Sequence, residues 1–236
     1  METLFDTARA GLGLPAALAE AHGGDLWLPP DCVIANFVES VDGVVALPDA
    51  KGESGGIVSG GSDADRFLMG LLRACADAVL IGAGTLRAAP RDLWFPGSIF
   101  PGAAQPYALL RRQLGLPEQP ALYVVSGSGR VDPAHPALRE GVVLGGKREP
   151  AEIVATLRRD GRRRILCEGG PGLFAELTAA KLVDQLFLTL SPRLFGRWQG
   201  DARKALAESR DLAGMPLELL SLRRHGSHLF LRYRCG

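Results

Sequence analysis

Residues 165–177 read Ile165-Leu166-Cys167-Glu168-Gly169-Gly170-Pro171-Gly172-Leu173-Phe174-Ala175-Glu176-Leu177, and this stretch decides the fold class. The apolar run before Glu168 predicts a buried strand. Gly169 and Gly170 remove two side chains where the chain must bend, and Pro171 suits the first turn of a helix, where its missing N–H costs nothing. Apolar residues at helical spacing follow. The stretch therefore predicts a strand, a glycine turn and a helix.

This glycine turn is suited to a phosphate or diphosphate, because it presents free backbone N–H groups at the positive end of a helix dipole. A plain strand–turn–helix connection explains the stretch equally well. A second turn of this kind, Gly82-Ala83-Gly84-Thr85, follows the apolar strand 77–81, and Thr85 is expected to cap the turn after it. In a parallel sheet both turns lie at the edge where ligands bind. The pair therefore favours a cofactor site that includes Gly82 and Gly84.

Composition limits the classes of function. The chain has 236 residues, of which 47% are hydrophobic and 22% charged, with a formal net charge of +1. These values indicate one large α/β domain or two small ones, with no nucleic-acid partner and no membrane partner. No apolar run approaches the ~20 residues of a membrane span, and residues 1–6 lack the order of a secretory signal, so a cytoplasmic protein is expected. The four cysteines are far apart in apolar segments, which indicates buried reduced thiols and no metal site. They are Cys32, Cys75, Cys167 and Cys235.

The first half of the chain divides at about residue 30. Apolar residues from Leu4 to Leu18 predict one or two short helices in a peripheral extension, residues 1–30, ahead of a domain spanning residues 31–236. A strand over 32–40 contains Asn36, which either is satisfied structurally or lines a site. The polar, glycine-rich segment 48–61 is expected to be a mobile loop over a pocket. A helix begins at Ser62, and the pattern alone makes Arg73 a solvated residue of that helix.

The second half continues the alternation of strands and helices. Strands are predicted at 121–125, 142–144 and 185–190, and a helix at 152–159. The polar turn that follows the first of these strands, Ser126–Arg130, suits either a phosphate monoester or solvent. The basic run 158–164 is interpreted as a solvated helix end, since no aromatic residues interleave with it. Residues 217–233 predict an antiparallel hairpin at the sheet edge, and its apolar strand surface predicts a homodimer.

Several segments together resemble the pyrimidine reductase of bacterial riboflavin biosynthesis, the RibD C-terminal domain family. They are 36–43 (Asn-Phe-Val-Glu-Ser-Val-Asp-Gly), 72–74, 77–85, 168–173 and 182–196, and the resemblance runs from about Cys32 to the C-terminus. It implies a dihydrofolate reductase-like α/β fold, in which helices flank a mostly parallel central sheet that ends in an antiparallel hairpin. It also implies the cofactor NADPH and a small-molecule substrate of the 5-amino-6-ribosylaminouracil 5′-phosphate type, whose ribose C1 accepts hydride. No deaminase-type zinc pattern precedes Cys32, so a stand-alone reductase is expected.

The resemblance also implies site residues. Substrate contacts are expected at Ser54, Arg73, Leu93 and Glu168. Cofactor contacts are expected at Val38, Gly56, Thr85, Ser126 (near the adenosine 2′-phosphate), Gly169, Gly170, Pro171, Gly172, Leu173 and Phe174. Arg73 thereby becomes a candidate phosphate ligand. Glu168 is the candidate catalytic residue, as a polar anchor near the reacting carbon with a secondary claim to proton handling. Asp42 is expected to fix its own turn.

The segment after the second glycine turn departs from the family pattern. Two acids are missing there, Ala89 replaces a cofactor-contacting Asp, and Pro96 stands where a phosphate-binding Arg is expected; Arg87 or Arg91 would have to substitute. Two alternatives therefore stay open beside the riboflavin substrate. One is an NADPH-dependent reductase of another carbonyl, imine or pterin, and the other is a non-catalytic NADP-binding protein.

Overall fold

One nine-stranded sheet organises the chain in the computed structural model, which describes residues 1–7, 10–47, 54–198 and 200–236. The strands, in chain order, are β1 (Glu2–Asp6), β2 (Cys32–Ser40), β3 (Ala78–Gly82), β4 (Ala121–Ser126), β5 (Val142–Gly145), β6 (Arg164–Cys167), β7 (Gln185–Ser191), β8 (Leu217–His225) and β9 (His228–Cys235). Their order across the sheet is β1-β8-β9-β7-β2-β6-β3-β4-β5.

Eight helices pack around this sheet in the described part of the chain. They are α1 (Ala16–His22), α2 (Ser54–Ser59), α3 (Asp63–Cys75), α4 (Ala83–Ala88), α5 (Pro96–Ile99), α6 (Ala104–Gln113), α7 (Pro150–Arg159) and α8 (Pro171–Ala179). Short 3₁₀ turns cover Pro101–Ala103 and Pro136–Arg139. None of these helices combines the length and apolar character needed to cross a bilayer.

The sheet is parallel from β7 through β2, β6, β3 and β4 to β5, and antiparallel where β9, β8 and β1 add to it. The expected fold class is confirmed. Apolar side chains of the central strands alternate between two clusters: Ile34 and Val79 face one, with α3, while Val33 and Leu80 face the other, with α7 and α8. Because both faces are covered, the central strands are continuously apolar.

The N-terminal prediction is partly wrong. Residues 2–6, expected to be helical, form β1 and pair antiparallel with β8. The apolar pair Leu4 and Phe5 is too short a pattern to separate a strand from a helix, and the pairing partner lies more than 200 residues away. The second expected helix is present as α1, which ends at Gly23 in the left-handed conformation. The boundary between a peripheral extension and the main domain stays a prediction.

The C-terminal hairpin is confirmed, with a two-residue turn at Gly226 and Ser227 between β8 and β9. Its expected position at the sheet edge is wrong, because β1 pairs with the outer side of β8. The strand surface from which a homodimer was predicted is therefore already occupied within the chain.

Helix α3 begins as predicted: the Ser62 hydroxyl accepts the backbone N–H of Asp65 at 3.3 Å. Its apolar stripe, which includes Phe67 and Leu71, is buried. Part of the segment expected to be a loop over a pocket, 54–59, is the helix α2, and residues 48–53 lie outside the described residues. All four cysteines are free thiols, three of them buried and Cys235 partly buried.

Candidate active site

A cavity of about 280 Å³ opens beside the carboxyl ends of β2 and β6. Its size lies near the lower end of the range for small-molecule sites. Four segments contribute most of its wall: the end of β2, helix α3, the irregular segment after α4, and the start of α8. The lining residues are Asn36, Phe37, Val38, Val45, Ala46, Ser54, Gly55, Gly56, Asp65, Met69, Arg73, Thr85, Ala88, Ala89, Asp92, Trp94, Ile99, Glu168, Gly170 and Pro171.

The two glycine turns meet at this edge of the sheet, as the sequence predicts. Strands β3 and β6 are parallel neighbours, and the Glu168 N–H donates to the Leu80 carbonyl at 3.1 Å. A Cβ on Gly169 would lie 2.2 Å from the Cα of Ile81 and 2.6 Å from the backbone nitrogen of Gly82. Only glycine allows two backbones to approach this closely.

The start of α8 has the features of an anion site. Gly170 is its N-cap with a φ of 60°, Pro171 is in the first turn, and no side chain among the described residues caps the helix. The first-turn N–H groups are therefore free for a ligand. Thr85 faces this turn, since a Cβ on Gly170 would lie 3.5 Å from its hydroxyl. Thr85 lies inside α4 and does not cap a turn, so that prediction is wrong: Gly82 is the N-cap of α4.

Arg73 is buried and holds two carboxylates. Its Nε donates to Glu168 Oε2 at 3.0 Å, and its Nη2 lies 2.8 Å from the same oxygen. Nη2 also donates to Asp92 Oδ2 at 3.0 Å. The side chain of Arg73 is 2% exposed and that of Glu168 is 5% exposed. The interpretation of Arg73 as a solvated helix residue is wrong, because these two acids, distant in sequence, draw its guanidinium inward.

Burial and charge oppose each other in this cluster. Burial by itself lowers the pKa of Arg73, but the carboxylates of Glu168 and Asp92 outweigh it, so the guanidinium stays charged. Burial raises the pKa of Glu168, and the contact with Arg73 offsets part of that rise. Both Glu168 oxygens accept from the Arg73 Nε, at 3.2 and 3.0 Å. Glu168 is therefore held in a fixed orientation at the cavity wall.

Asp65 is a second buried acid in the same cavity and has a different environment. It lies in the first turn of α3 and is 6% exposed. Burial raises its pKa to about 6; the Thr189 hydroxyl on β7 and the charges of His228 on β9 and Arg66 on α3 offset part of the rise. Among the described residues Asp65 has no ion pair like that between Arg73 and Glu168, so its carboxyl keeps its proton to a higher pH than an exposed aspartate does.

The structure brings half of the predicted site residues to the cavity wall. Those that line it are Val38, Ser54, Gly56, Arg73, Thr85, Glu168, Gly170 and Pro171. Those that do not are Gly82, Gly84, Leu93, Ser126, Gly169, Gly172, Leu173 and Phe174. Of the second group, Leu93 packs against the core between two lining residues, and Phe174 contacts the ring of Phe37. The buried Ser126 faces the turn that follows it, where its hydroxyl lies 3.5 Å from the Arg130 carbonyl oxygen.

Asp65, Asp92 and Trp94 are three lining residues that the sequence analysis did not predict as part of a site. Asp65 shares the apolar face of α3 with Leu68 and Leu72, and an acid on such a face is a signal for a site that the sequence does offer. Asp92 and Trp94 lie in an irregular segment that carries no periodicity. Trp94 has a φ of 55°, and its backbone N–H donates to Asp92 Oδ1 at 2.8 Å.

Asp42 does more than fix its own turn. It accepts the Ser40 hydroxyl at 2.6 Å and the backbone N–H groups of Phe195 and Gly196 at 3.1 and 2.6 Å. These bonds, the Ser40 hydroxyl foremost, lower the pKa of Asp42. The residue therefore ties the end of β2 to the irregular segment after β7.

Arginines of the basic run 158–164 contact other groups of the same chain. Arg158 donates to the Arg162 carbonyl at 3.1 Å and pairs with Asp31, which also pairs with Arg163 at 3.2 Å. Arg87 and Arg91, which were considered as substitutes for the missing phosphate ligand, are exposed and do not line the cavity.

Comparisons with known structures place the fold among dihydrofolate reductase-like α/β proteins. Dihydrofolate reductase from Enterococcus faecalis, complexed with NADP(H), aligns with a TM-score of 0.50 at 15% identity over 87% of this chain and 96% of its own. The Saccharomyces cerevisiae riboflavin biosynthesis reductase Rib7 aligns with a TM-score of 0.53 at 14% identity over 93% of this chain and 98% of its own.

The family follows from the sequence itself. Residues 31–231 match the family model of the RibD C-terminal domain, so the chain belongs to that family. A pyrimidine reductase-like protein from Corynebacterium diphtheriae aligns with a TM-score of 0.68 at 22% identity, covering 94% of this chain and 99% of its own. RibD from Acinetobacter baumannii aligns with the same TM-score at 18% identity over 87% of this chain, which spans 58% of the RibD chain. No curated protein sequence matches.

Proposed function

We propose that this chain is an NADPH-dependent reductase of a ribosylaminopyrimidine, of the 5-amino-6-ribosylaminouracil class found in riboflavin biosynthesis. The observation that carries the proposal is the single cavity wall shared by an uncapped helix start at Gly170 and two buried acids, Asp65 and Glu168. Membership of the RibD C-terminal domain family supports it.

The residues present fit a dinucleotide. Gly169 lets β6 approach β3, so that the first-turn N–H groups of α8 and the Thr85 hydroxyl face one space. These groups would hold the diphosphate, and Val38 and Gly56 on the cavity wall would bound the nicotinamide. When bound, NADPH supplies the hydride for the imine-form C1 of the substrate. The chain's own part is to position the substrate, exclude water and deliver a proton.

Proton delivery is assigned to Asp65. A carboxyl whose pKa is about 6 is a carboxylic acid in part of the molecules at neutral pH, and it can release that proton to the nitrogen or oxygen next to the reduced carbon. Glu168, the residue predicted from the sequence, is bonded through both oxygens to Arg73 and serves as the fixed anchor for polar groups of the substrate. The two acids thereby take different tasks.

One observation favours a second candidate. Pro96 is buried at the start of α5, where related reductases are expected to have a phosphate-binding Arg, and Arg73 is occupied by carboxylates. Both features suit an NADPH-dependent reductase of an unphosphorylated carbonyl, imine or pterin.

The test is to measure NADPH oxidation by the purified chain with each of three candidate substrates: 5-amino-6-ribosylaminouracil, its 5′-phosphate and dihydrofolate. Turnover of either pyrimidine supports the first candidate, and turnover of dihydrofolate alone supports the second. Asp65→Asn should lower kcat by roughly 10²- to 10⁴-fold with NADPH binding retained, the range for loss of a general acid. NADPH binding with no oxidation of any substrate would contradict both candidates and leave an NADP-binding protein.

Two expectations about the whole molecule stay proposals. The homodimer predicted from the apolar strand surface of the hairpin 217–233, whose outer strand pairs with β1 within the chain, is tested by sedimentation at micromolar concentration; a single monomeric species would contradict it. A cytoplasmic location fits a reductase that draws on the NADPH pool, and cell fractionation checks it.

A further inference from the structure

All three nitrogens of the Arg73 guanidinium donate to acceptors inside the protein. A guanidinium has five N–H donors. Nε donates to Glu168, whose Oε2 also lies 2.8 Å from Nη2, while Nη2 and Nη1 donate to the two oxygens of Asp92, at 3.0 and 3.4 Å respectively. Nη1 also lies 3.5 Å from the Phe95 carbonyl oxygen. With its side chain 2% exposed, Arg73 offers no free edge to an incoming ligand.

The charges of the side chains that line the cavity also disfavour a phosphate. Among the described lining residues there is one cation, Arg73, and there are three carboxyl groups, those of Asp65, Asp92 and Glu168. Even with Asp65 protonated, the ionised groups sum to one negative charge. A substrate phosphate dianion placed beside Arg73 would meet the like charges of Asp92 and Glu168 in a partly desolvated site, which is strongly unfavourable, while the uncapped start of α8 on the same wall is assigned to the diphosphate of the cofactor.

A second cation that could bind a phosphate is absent at position 96, where the residue is a proline. Pro96 is buried at the start of α5, only four residues after Asp92, and has neither charge nor N–H to offer. Arg87 and Arg91 are exposed and outside the cavity wall. No described cation of this wall is therefore free to receive a phosphate.

We propose that the substrate enters this cavity without a phosphate group, and that Asp92 is the residue that sets this specificity by occupying Arg73. The inference rests on the proposed reductase function and narrows its substrate to a neutral or cationic heterocycle. N–H and NH₂ groups of such a ring match the carboxylate oxygens that line the wall. Asp92 is thus a specificity-determining residue that acts through Arg73.

The experiment compares kcat/KM for 5-amino-6-ribosylaminouracil and its 5′-phosphate, two compounds that differ only in the phosphate. The wild-type chain should prefer the unphosphorylated compound by about tenfold or more, because like charges at close range cost at least that much. Asp92→Asn removes one negative charge, weakens the hold on two Arg73 donors, and keeps an oxygen for the Trp94 N–H. This variant should shift the ratio about tenfold towards the phosphorylated compound.

Asp63→Asn is the matched control, because it removes a carboxylate from the exposed surface of α3 and should leave the ratio unchanged. A wild-type preference for the 5′-phosphate, or an Asp92→Asn ratio equal to the wild-type ratio, would overturn the inference. Turnover of neither pyrimidine beside turnover of dihydrofolate would refute the pyrimidine assignment of the proposed function, whereas a preference for the 5′-phosphate would refute only the exclusion of phosphate. Failure of the exclusion of phosphate can therefore be distinguished from failure of the proposed pyrimidine reductase function.

Discussion

Arg73 and Glu168 form a buried ion pair, 2.8 Å between Nη2 and Oε2, that joins helix α3 to the glycine turn after β6. Removing one partner of such a pair leaves an uncompensated charge in the interior. Arg73→Met should therefore lower the free energy of unfolding by about 3–5 kcal/mol, measured by urea denaturation. In the double variant Arg73→Met, Glu168→Met, much of this loss should be recovered, because no buried carboxylate of that pair remains.

The control for this prediction is Arg66→Met, which breaks the exposed pair with Asp63 on the same helix. Exposed pairs contribute about 0–1 kcal/mol, so this variant should unfold at nearly the wild-type urea concentration. Equal losses for the Arg73 and Arg66 variants would show that burial does not govern the contribution of these pairs.

Gly169 makes a backbone contact that no other residue can make. A methyl group there would lie 2.2 Å from the Cα of Ile81, which is part of a central strand and cannot turn away. Gly169→Ala should cost about 1–3 kcal/mol or more of stability, as overpacked cores do, and should weaken NADPH binding by moving α8. Gly172→Ala, three residues along, meets nothing within 4 Å and should stay within about 1 kcal/mol of wild type. Loss of stability in both variants alike would argue against the close contact.

Asp65 should make stability depend on pH. The pKa of Asp65 in the folded chain, about 6, lies above the ordinary value of 3.8. The contribution of Asp65 to stability is therefore fully present below pH 3.8 and is lost as the pH rises through about 6. Asp65→Asn should therefore gain stability relative to wild type between about pH 4 and pH 7.5, by up to about 3 kcal/mol. Chemical denaturation at a series of pH values measures it, with Asp63→Asn as the variant that removes an exposed carboxyl from the same turn. A difference that shrinks as pH rises would contradict the assignment.

The native thiols should be unreactive in the folded chain. Burial raises the pKa of Cys32, Cys75 and Cys167 to about 12 and that of Cys235 to about 11, so the thiolate is scarce at neutral pH. A thiol-exchange reagent should release colour slowly from the native chain and fast from all four after denaturation. Ala151→Cys, exposed in the first turn of α7, provides a reactive reference. Fast labelling of the unmodified native chain would show that the core opens readily.

The parts of the site that sequence could predict are those that depend on local chain geometry. Gly169, Gly170 and Pro171 are readable because a sharp turn into a helix restricts which residues are tolerated. The placement of Glu168 follows, since it directly precedes that turn. The parallel sheet was predictable because continuous apolar runs alternate with helical periods.

The remaining parts depend on contacts between distant segments. Asp92 lies in an irregular segment, so nothing local reveals that it pairs with Arg73 on α3. Arg73 was predicted to be solvated because its ion pair with Asp92, which accompanies its burial, is not visible in the local sequence pattern. Strand β1 was predicted as a helix because five residues carry too little periodicity, and its conformation is decided by β8.

The pairing of β1 with β8 also has a consequence for synthesis. Glu2 and Arg224 are 222 positions apart, yet their side chains form an ion pair. At about 5–20 residues per second, a ribosome needs roughly 10 to 45 s to make the second partner after the first. The backbone N–H and C=O groups of nascent β1 therefore stay without their partners on β8, and this edge of the sheet closes only when translation is nearly finished.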